Sequence, residues 1–79
     1  MKAYLLARIK PGFDKDVIER IKGLNPVREV ASIYGEYDLI AKVEIENLEK
    51  LDEFVFNTVR KIDGIERTTT LIVTQLLLK

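Results

Sequence analysis

Two short segments carry the polar groups best suited to binding a small ligand. In the first, residues 34–38, Gly35 can adopt a positive φ and leave backbone amides accessible, and Asp38 can accept hydrogen bonds from an ammonium group. In the second, the hydroxyls of Thr68 and Thr70 share one face of a predicted strand and can bind a carboxylate without adding charge. Both segments also have a structural interpretation, because aspartate often satisfies backbone donors in turns and threonine is common in strands.

Catalytic chemistry has little support in the residue inventory. The chain has no histidine, no cysteine and a single serine, so it cannot form a Ser-His-Asp or Cys-His arrangement, or a histidine or thiolate metal site. The carboxylate pairs Asp14/Asp16 and Glu44/Glu46 are better explained as charges at a helix start and on a solvated strand edge. The 4 glycines are too scattered for a Walker lysine loop or a dinucleotide-binding motif. We therefore predict no catalytic residue, no metal and no cofactor.

The length and the charge balance limit the class of protein. A chain of 79 residues can build one hydrophobic core, so residues 1–79 are expected to form a single domain. The 13 basic and 13 acidic residues balance to zero net charge, which argues against direct binding to nucleic acid and against a polybasic membrane anchor. No apolar stretch approaches the roughly 18 residues that span a bilayer, and residues 1–8 lack the cleavage region of a signal peptide. The cytoplasm is the expected compartment.

Hydrophobic periodicity predicts six secondary-structure elements in the order βαββαβ. Asn47 is a suitable N-cap for the second helix, and Gly35-Glu36 predicts a tight reversal between the two central strands. Two βαβ halves joined by such a hairpin form an α+β ferredoxin-like sandwich, in which a four-stranded antiparallel sheet carries both helices on one face. The predicted bounds are strands 3–9, 27–34, 37–46 and 65–78, with helices 14–24 and 48–62.

The sheet face that the helices leave uncovered, called the outer face below, is expected to be polar in a monomer. Strand alternation instead places apolar residues on it in all four predicted strands, which indicates a surface for self-association. The alternative is that one or two of them are ordinary exposed apolar residues. The predicted members of this interface are Tyr4, Leu6, Val30, Ile40, Ile72 and Leu76.

The ordered set of motifs resembles the C-terminal effector module of the leucine-responsive/asparagine-synthetase-activator (Lrp/AsnC) transcriptional regulators, known as the "regulation of amino-acid metabolism" domain. One part is the G-x-Y-D run at residues 35–38, which follows Ile33-Tyr34. The other is Ile-Asp-Gly-Ile at residues 62–65, followed by Arg-Thr-Thr-Thr at residues 67–70 and an apolar strand. The resemblance covers residues 3–77.

The resemblance implies a module that dimerises through its sheets, assembles into rings of dimers and binds a small effector, usually an amino acid, between neighbouring dimers. The sequence starts at the module's first strand, so a stand-alone version without a helix-turn-helix domain is expected, acting alone or with full-length regulators. Asp38 would accept hydrogen bonds from the ligand ammonium group, and hydroxyls and backbone amides would bind its carboxylate. By position, the effector-binding residues would be Tyr34, Gly35, Glu36, Tyr37, Asp38, Thr68 and Thr70.

Three other interpretations remain open from the sequence. The chain could be a structural module that co-assembles with regulators and binds no ligand. An ACT-type amino-acid sensor shares the topology and the ligand class. An acylphosphatase-like hydrolase would need an arginine-bearing anion loop after the first strand, and residues 10–14 contain no arginine.

Overall fold

The computed structural model describes residues 1–79 and has the predicted order of elements. A short 3-10 helix, Val59–Lys61, follows the second α-helix. None of the helices is long and apolar enough to cross a bilayer. The bounds are β1 Lys2–Ile9, α1 Asp14–Lys22, β2 Val27–Ser32, β3 Leu39–Glu44, α2 Leu48–Asn57 and β4 Ile65–Ile72.

The four strands form one antiparallel sheet in the order β2-β3-β1-β4, which is the ferredoxin-like arrangement. The central strands β1 and β3 are flanked on both sides, whereas β2 and β4 each have one unpaired edge. Both helices cover the same face, where they bury one cluster of apolar side chains. This core consists of Ala3, Leu5, Ala7, Ile9, Val17, Ile21, Leu39, Ala41, Val43, Leu51, Phe54, Val55, Val59 and Ile62.

The second helix begins and packs largely as its sequence predicts. The Asn47 side chain accepts a hydrogen bond from the Lys50 backbone N–H at 2.9 Å, which confirms the predicted N-cap. The periodicity of the sequence predicts that this helix buries Leu48, Leu51, Val55, Thr58, Val59 and Ile62. That prediction is wrong at Leu48 and Thr58, which are exposed, and it omits the buried Phe54. The helix ends at Asn57 rather than Ile62 because the chain tightens into the 3-10 turn before β4.

The phase predicted for β4 is wrong. Thr70 pairs with Leu5, and Ile72 pairs with Ala3. Since directly opposed residues of an antiparallel pair project from the same face, Thr70 and Ile72 lie on the helix side and not on the outer face. Residues 68–70 are all threonine, so they contain no apolar–polar alternation from which the phase could be determined. Ile72 remains 44% exposed because β4 is an edge strand that the helices only partly cover.

The predicted placement of Val30 on the outer face is also wrong. Val30 pairs with the buried Ala41 of β3 and packs against the core, so it also lies on the helix side. Its neighbour Ala31 pairs with Ile40 and occupies the outer face instead. The register of β2 shifts between Val27 and Glu29, and such an irregularity changes the face to which later residues point.

Two segments without regular secondary structure are longer than predicted. The central hairpin has a loop from residue 33 to residue 38, not a two-residue reversal at Gly35-Glu36. The last strand ends at Ile72, and residues 73–79 continue without regular secondary structure. The loop holds one half of the predicted site, and residues 73–79 carry exposed leucines.

Candidate functional site

The central loop is fixed to the sheet through Asp38. The backbone N–H of Asp38 donates to the Ala7 carbonyl at 2.9 Å, and its carbonyl accepts from the Ile33 N–H at 3.0 Å. Its carboxylate Oδ2 accepts from the Ile9 N–H at 2.8 Å in a partly buried position. Gly35 at the tip has φ +130, a backbone conformation that favours glycine, as predicted. Asp38 is therefore structural through Oδ2, and Oδ1 carries no hydrogen bond within the chain.

Side chains from β1 and β4 hold the same loop from the outer face. The Arg8 guanidinium donates to the Glu36 carbonyl at 2.7 Å, and Arg67 lies 3.4 Å from the Glu36 carboxylate. The Tyr37 hydroxyl shares a hydrogen bond of 2.5 Å with the Thr69 hydroxyl, and Arg67 stacks over the Tyr37 ring. Arg8 and Arg67 are directly opposed across β1 and β4, and the Glu36 carboxylate beside Arg67 offsets part of their like charge.

Thr68 and Thr70 face a groove on the helix side, between α2 and β4. The two threonines line it together with Val55 and Phe56, and the groove continues towards Ile72. Phe56 is 53% exposed although it is a large aromatic residue. At the other end of the groove the Arg60 guanidinium lies 5.1 Å from the centre of the Phe56 ring. The lining at this end therefore combines hydroxyls, an apolar surface, the guanidinium groups of Arg60 and Arg67 and the carboxylate of Glu66.

One chain does not bring the two halves of the predicted site together. The loop contacts β4 through Arg67 and Thr69 on the outer face, whereas Thr68 and Thr70 project to the opposite side of the sheet. Tyr34 at the tip is fully exposed and touches neither threonine. A site that contains both segments consequently requires the loop of one copy and the groove of another.

The outer face keeps the apolar character predicted for it. The structure places Tyr4, Leu6 and Ile40 there, as expected, and adds Ala31 and Leu71. Leu76 lies beyond β4 and lines a cavity with Tyr4 on this side of the protein. Exposed ion pairs such as Lys42–Glu29 (3.3 Å) border the apolar residues and contribute little stability by themselves. A role of these residues in self-association stays a prediction.

Sequence reasoning missed Thr69, Arg8 and Arg67 as partners of the central loop. Their contacts depend on the pairing of β1 with β4, which is separated from it by most of the chain. The only available signal was the alternation of β1, which places Arg8 on the outer face with Tyr4 and Leu6. Arg60 was also missed, because its position beyond the end of α2 depends on the 3-10 turn.

The protein is a small α+β domain with a groove between α2 and the edge strand β4. Comparison with known proteins identifies its family. The family model described as "Lrp/AsnC ligand binding domain" matches residues 2–79. The chain therefore belongs to the Lrp/AsnC ligand-binding domain family, and the resemblance found in the sequence is confirmed.

Individual relatives agree with this assignment. The HTH-type transcriptional regulator FL11 of Pyrococcus abyssi is 32% identical over 73 residues, which are 92% of this chain and 48% of that protein. The chain thus spans about half the length of the curated relatives it matches. The crystal structure of FFRP-DM1 superposes with a TM-score of 0.87 at 38% identity and covers 91% of this chain and 96% of that chain. NMB0573 of Neisseria meningitidis, a transcriptional regulator solved as an L-Met complex, shares the fold (TM-score 0.91, 16% identity, 99% and 52% covered).

Proposed function

We propose that these 79 residues form an oligomeric regulatory module that binds an amino-acid effector between two copies of the chain and thereby modulates transcription of amino-acid metabolism. The observation that carries the proposal is the separation of the two polar segments of a ligand-binding domain onto opposite sides of the sheet. Each segment alone offers half of the groups that an amino acid needs. Assembly of copies would complete the site, so that ligand and oligomer are thermodynamically linked.

The polar groups of the two segments match the two ends of an amino acid. The free Oδ1 of Asp38 is available for the ligand ammonium group, with Gly35 leaving the backbone of the loop open to close approach. The hydroxyls of Thr68 and Thr70 would donate to the carboxylate from the groove of the second copy. Arg60 and Arg67 line this end of the groove together with Glu66, so its lining carries a net positive charge that favours an anionic group.

Self-association through the outer face is the second part of the proposal. Both sides of a twofold interface use the same patch, and an apolar band bordered by charges suits such self-complementary contact. Tyr34 at the loop tip is fully exposed and would contact a further copy. Neighbouring dimers would then contact each other through the central loop of one copy, which enters the groove of the next copy. Such a heterologous contact closes into a ring when the rotation between successive dimers adds up to a full turn. Full-length regulators of the family could enter the same assembly through the same surfaces.

A thermal-shift screen of the twenty amino acids tests the ligand-binding part. A ligand present at 100 times its Kd stabilises the folded state by about 2.7 kcal/mol, which in a domain of this size raises the Tm by roughly 10 °C or more. Thr70→Val should reduce the shift, because it keeps the shape of the groove and removes one hydroxyl. Thr74→Val is the matched control, since Thr74 is exposed beyond the end of β4.

The outcome of the screen also separates the proposal from its main competitor. If no amino acid raises the Tm while the protein still oligomerises, the module acts as a structural partner without a ligand. Catalysis is not part of the proposal, because the hydroxyls that line the grooves belong to threonines and the chain has no histidine to activate them.

A further inference from the structure

Residues 76–78 are three consecutive leucines that one chain leaves uncovered. Their exposed fractions rise along the segment, from 50% at Leu76 to 77% at Leu77 and 87% at Leu78. The last backbone hydrogen bond before them joins the Val73 N–H to the Lys2 carbonyl at 2.9 Å, and residues 74–79 make none. An exposed run of this kind is unfavourable in water unless a partner covers it.

The segment leaves β4 towards the outer face. Leu76 lines a cavity of about 220 Å³ with Tyr4, Lys42 and Val73. Tyr4 pairs with Lys42 on the outer face, so Leu76 lies at one end of the same apolar surface that Leu6, Ile40 and Leu71 occupy. The segment is therefore continuous with the proposed self-association surface and lies away from the groove at α2.

The chain's own sheet cannot cover all three leucines. Side chains at successive positions of an extended segment point to opposite sides, so burying a continuous apolar run requires an apolar surface on each side. The outer face of the same chain supplies one surface. Two twisted sheets packed face to face diverge at their corners, which leaves room for an extended segment at the end of the interface.

We propose that residues 76–78 fill the corner between the outer faces of two copies, with Leu77 and Leu78 packed against the second copy. The inference rests on the proposed self-association through the outer face, and it places residues 76–78 at the edge of that interface. A twofold axis places one segment at each of two equivalent corners, so each copy both gives and receives a segment.

Sedimentation equilibrium of the double variant Leu77→Gln/Leu78→Gln tests the inference. Both side chains are exposed in one chain, so the far-UV circular dichroism of the variant should match the parent. Burial of a leucine is worth about tenfold in affinity, and the two corners of a twofold dimer together lose four leucines, so the dimer dissociation constant should rise about 10,000-fold. Leu48→Gln is the control, because Leu48 is another exposed leucine but lies on the helix side, and the dimer dissociation constant of this variant should be unchanged.

The possible results separate this inference from the proposed function. A parent protein that is monomeric at all concentrations overturns both. A parent dimer with an unchanged dissociation constant in the double variant overturns the inference alone.

Disulfide trapping gives an independent readout, because the chain has no cysteine. Chains carrying only Leu77→Cys, mixed with differently tagged chains carrying one cysteine at Tyr4, Ala31 or Leu71, should form disulfides between copies. If Leu77→Cys bonds only to a cysteine placed in its own chain, the segment folds back and the inference is wrong.

Discussion

Two substitutions of Asp38 separate its structural contribution from its role towards a ligand. Its Oδ2 accepts the Ile9 backbone N–H at 2.8 Å, and Oδ1 carries no hydrogen bond within the chain. Asp38→Ala removes the carboxylate, so both contributions are lost. Asp38→Asn keeps an oxygen that can accept from Ile9 and loses only the negative charge.

The expected magnitudes differ between the two variants. An unsatisfied buried N–H costs about 1–3 kcal/mol, and since Ile9 N–H and Asp38 meet in a partly buried position we expect Asp38→Ala to lose about 1–2 kcal/mol of unfolding free energy. Asp38→Asn should lose about 0.5–1 kcal/mol, because a neutral acceptor is weaker than a charged one. Ligand affinity should instead fall by a similar factor in both, about 10- to 100-fold, since each loses the charge that binds the ammonium group.

Urea unfolding measures the first quantity, and calorimetric titration with the amino acid that gives the largest thermal shift measures the second. The two variants should therefore differ in unfolding free energy and agree in ligand affinity. If Asp38→Asn binds the ligand as tightly as the parent, the ammonium site lies elsewhere and Asp38 serves only the loop. If both variants unfold at the same urea concentration, the bond to Ile9 is not what Asp38 contributes to stability.

Three further predictions concern the fold and its partners. Gly64→Ala should cost about 2–4 kcal/mol in urea unfolding, because the new Cβ would lie 2.5 Å from the Phe13 Cβ at φ +97, whereas Gly12→Ala, with φ +88 and open space, should cost only about 1–2 kcal/mol; equal costs would contradict the close contact. Asn47→Ala should lose about 1 kcal/mol with the N-cap bond to Lys50, and an unchanged urea midpoint would show that the cap is dispensable. The chain alone should give no sequence-selective complex with duplex DNA in a mobility-shift assay, because its net charge is zero, and a salt-dependent selective complex would refute this.

The sequence predicts the fold well where apolar and polar residues alternate strictly. In β1 the alternation of Ala3, Leu5 and Ala7 with Tyr4 and Leu6 corresponds to the buried and half-buried sides that the structure shows. The order of elements and the cap at the start of α2 follow from equally local signals. Local patterns of this kind do not depend on which strands become neighbours.

The candidate site could be predicted only in part, because it depends on pairing between distant segments. Gly35 and Asp38 were identified from their residue types, and Thr68 and Thr70 from their hydroxyls. The sequence of residues 68–70 does not show which threonine faces which side, since all three side chains are the same. The register between β4 and β1 determines the side on which each threonine lies. In this register Thr69 lies on the side of Tyr37, and Thr70 lies on the side of the groove. The separation of the site into two halves was therefore not foreseeable.

A complementation experiment tests most directly whether two copies share the effector site. One chain carries Asp38→Asn, a second carries Thr68→Val and Thr70→Val, and each alone should bind the effector weakly. After the two chains are mixed, unfolded and refolded together in equal amounts, about a quarter of the shared sites should combine an intact loop with an intact groove. Titration calorimetry should then recover parent-like affinity at about a quarter of the parent stoichiometry. A mixture that binds no more tightly than its separate components would contradict the account, because a site contained within one chain cannot be restored by mixing.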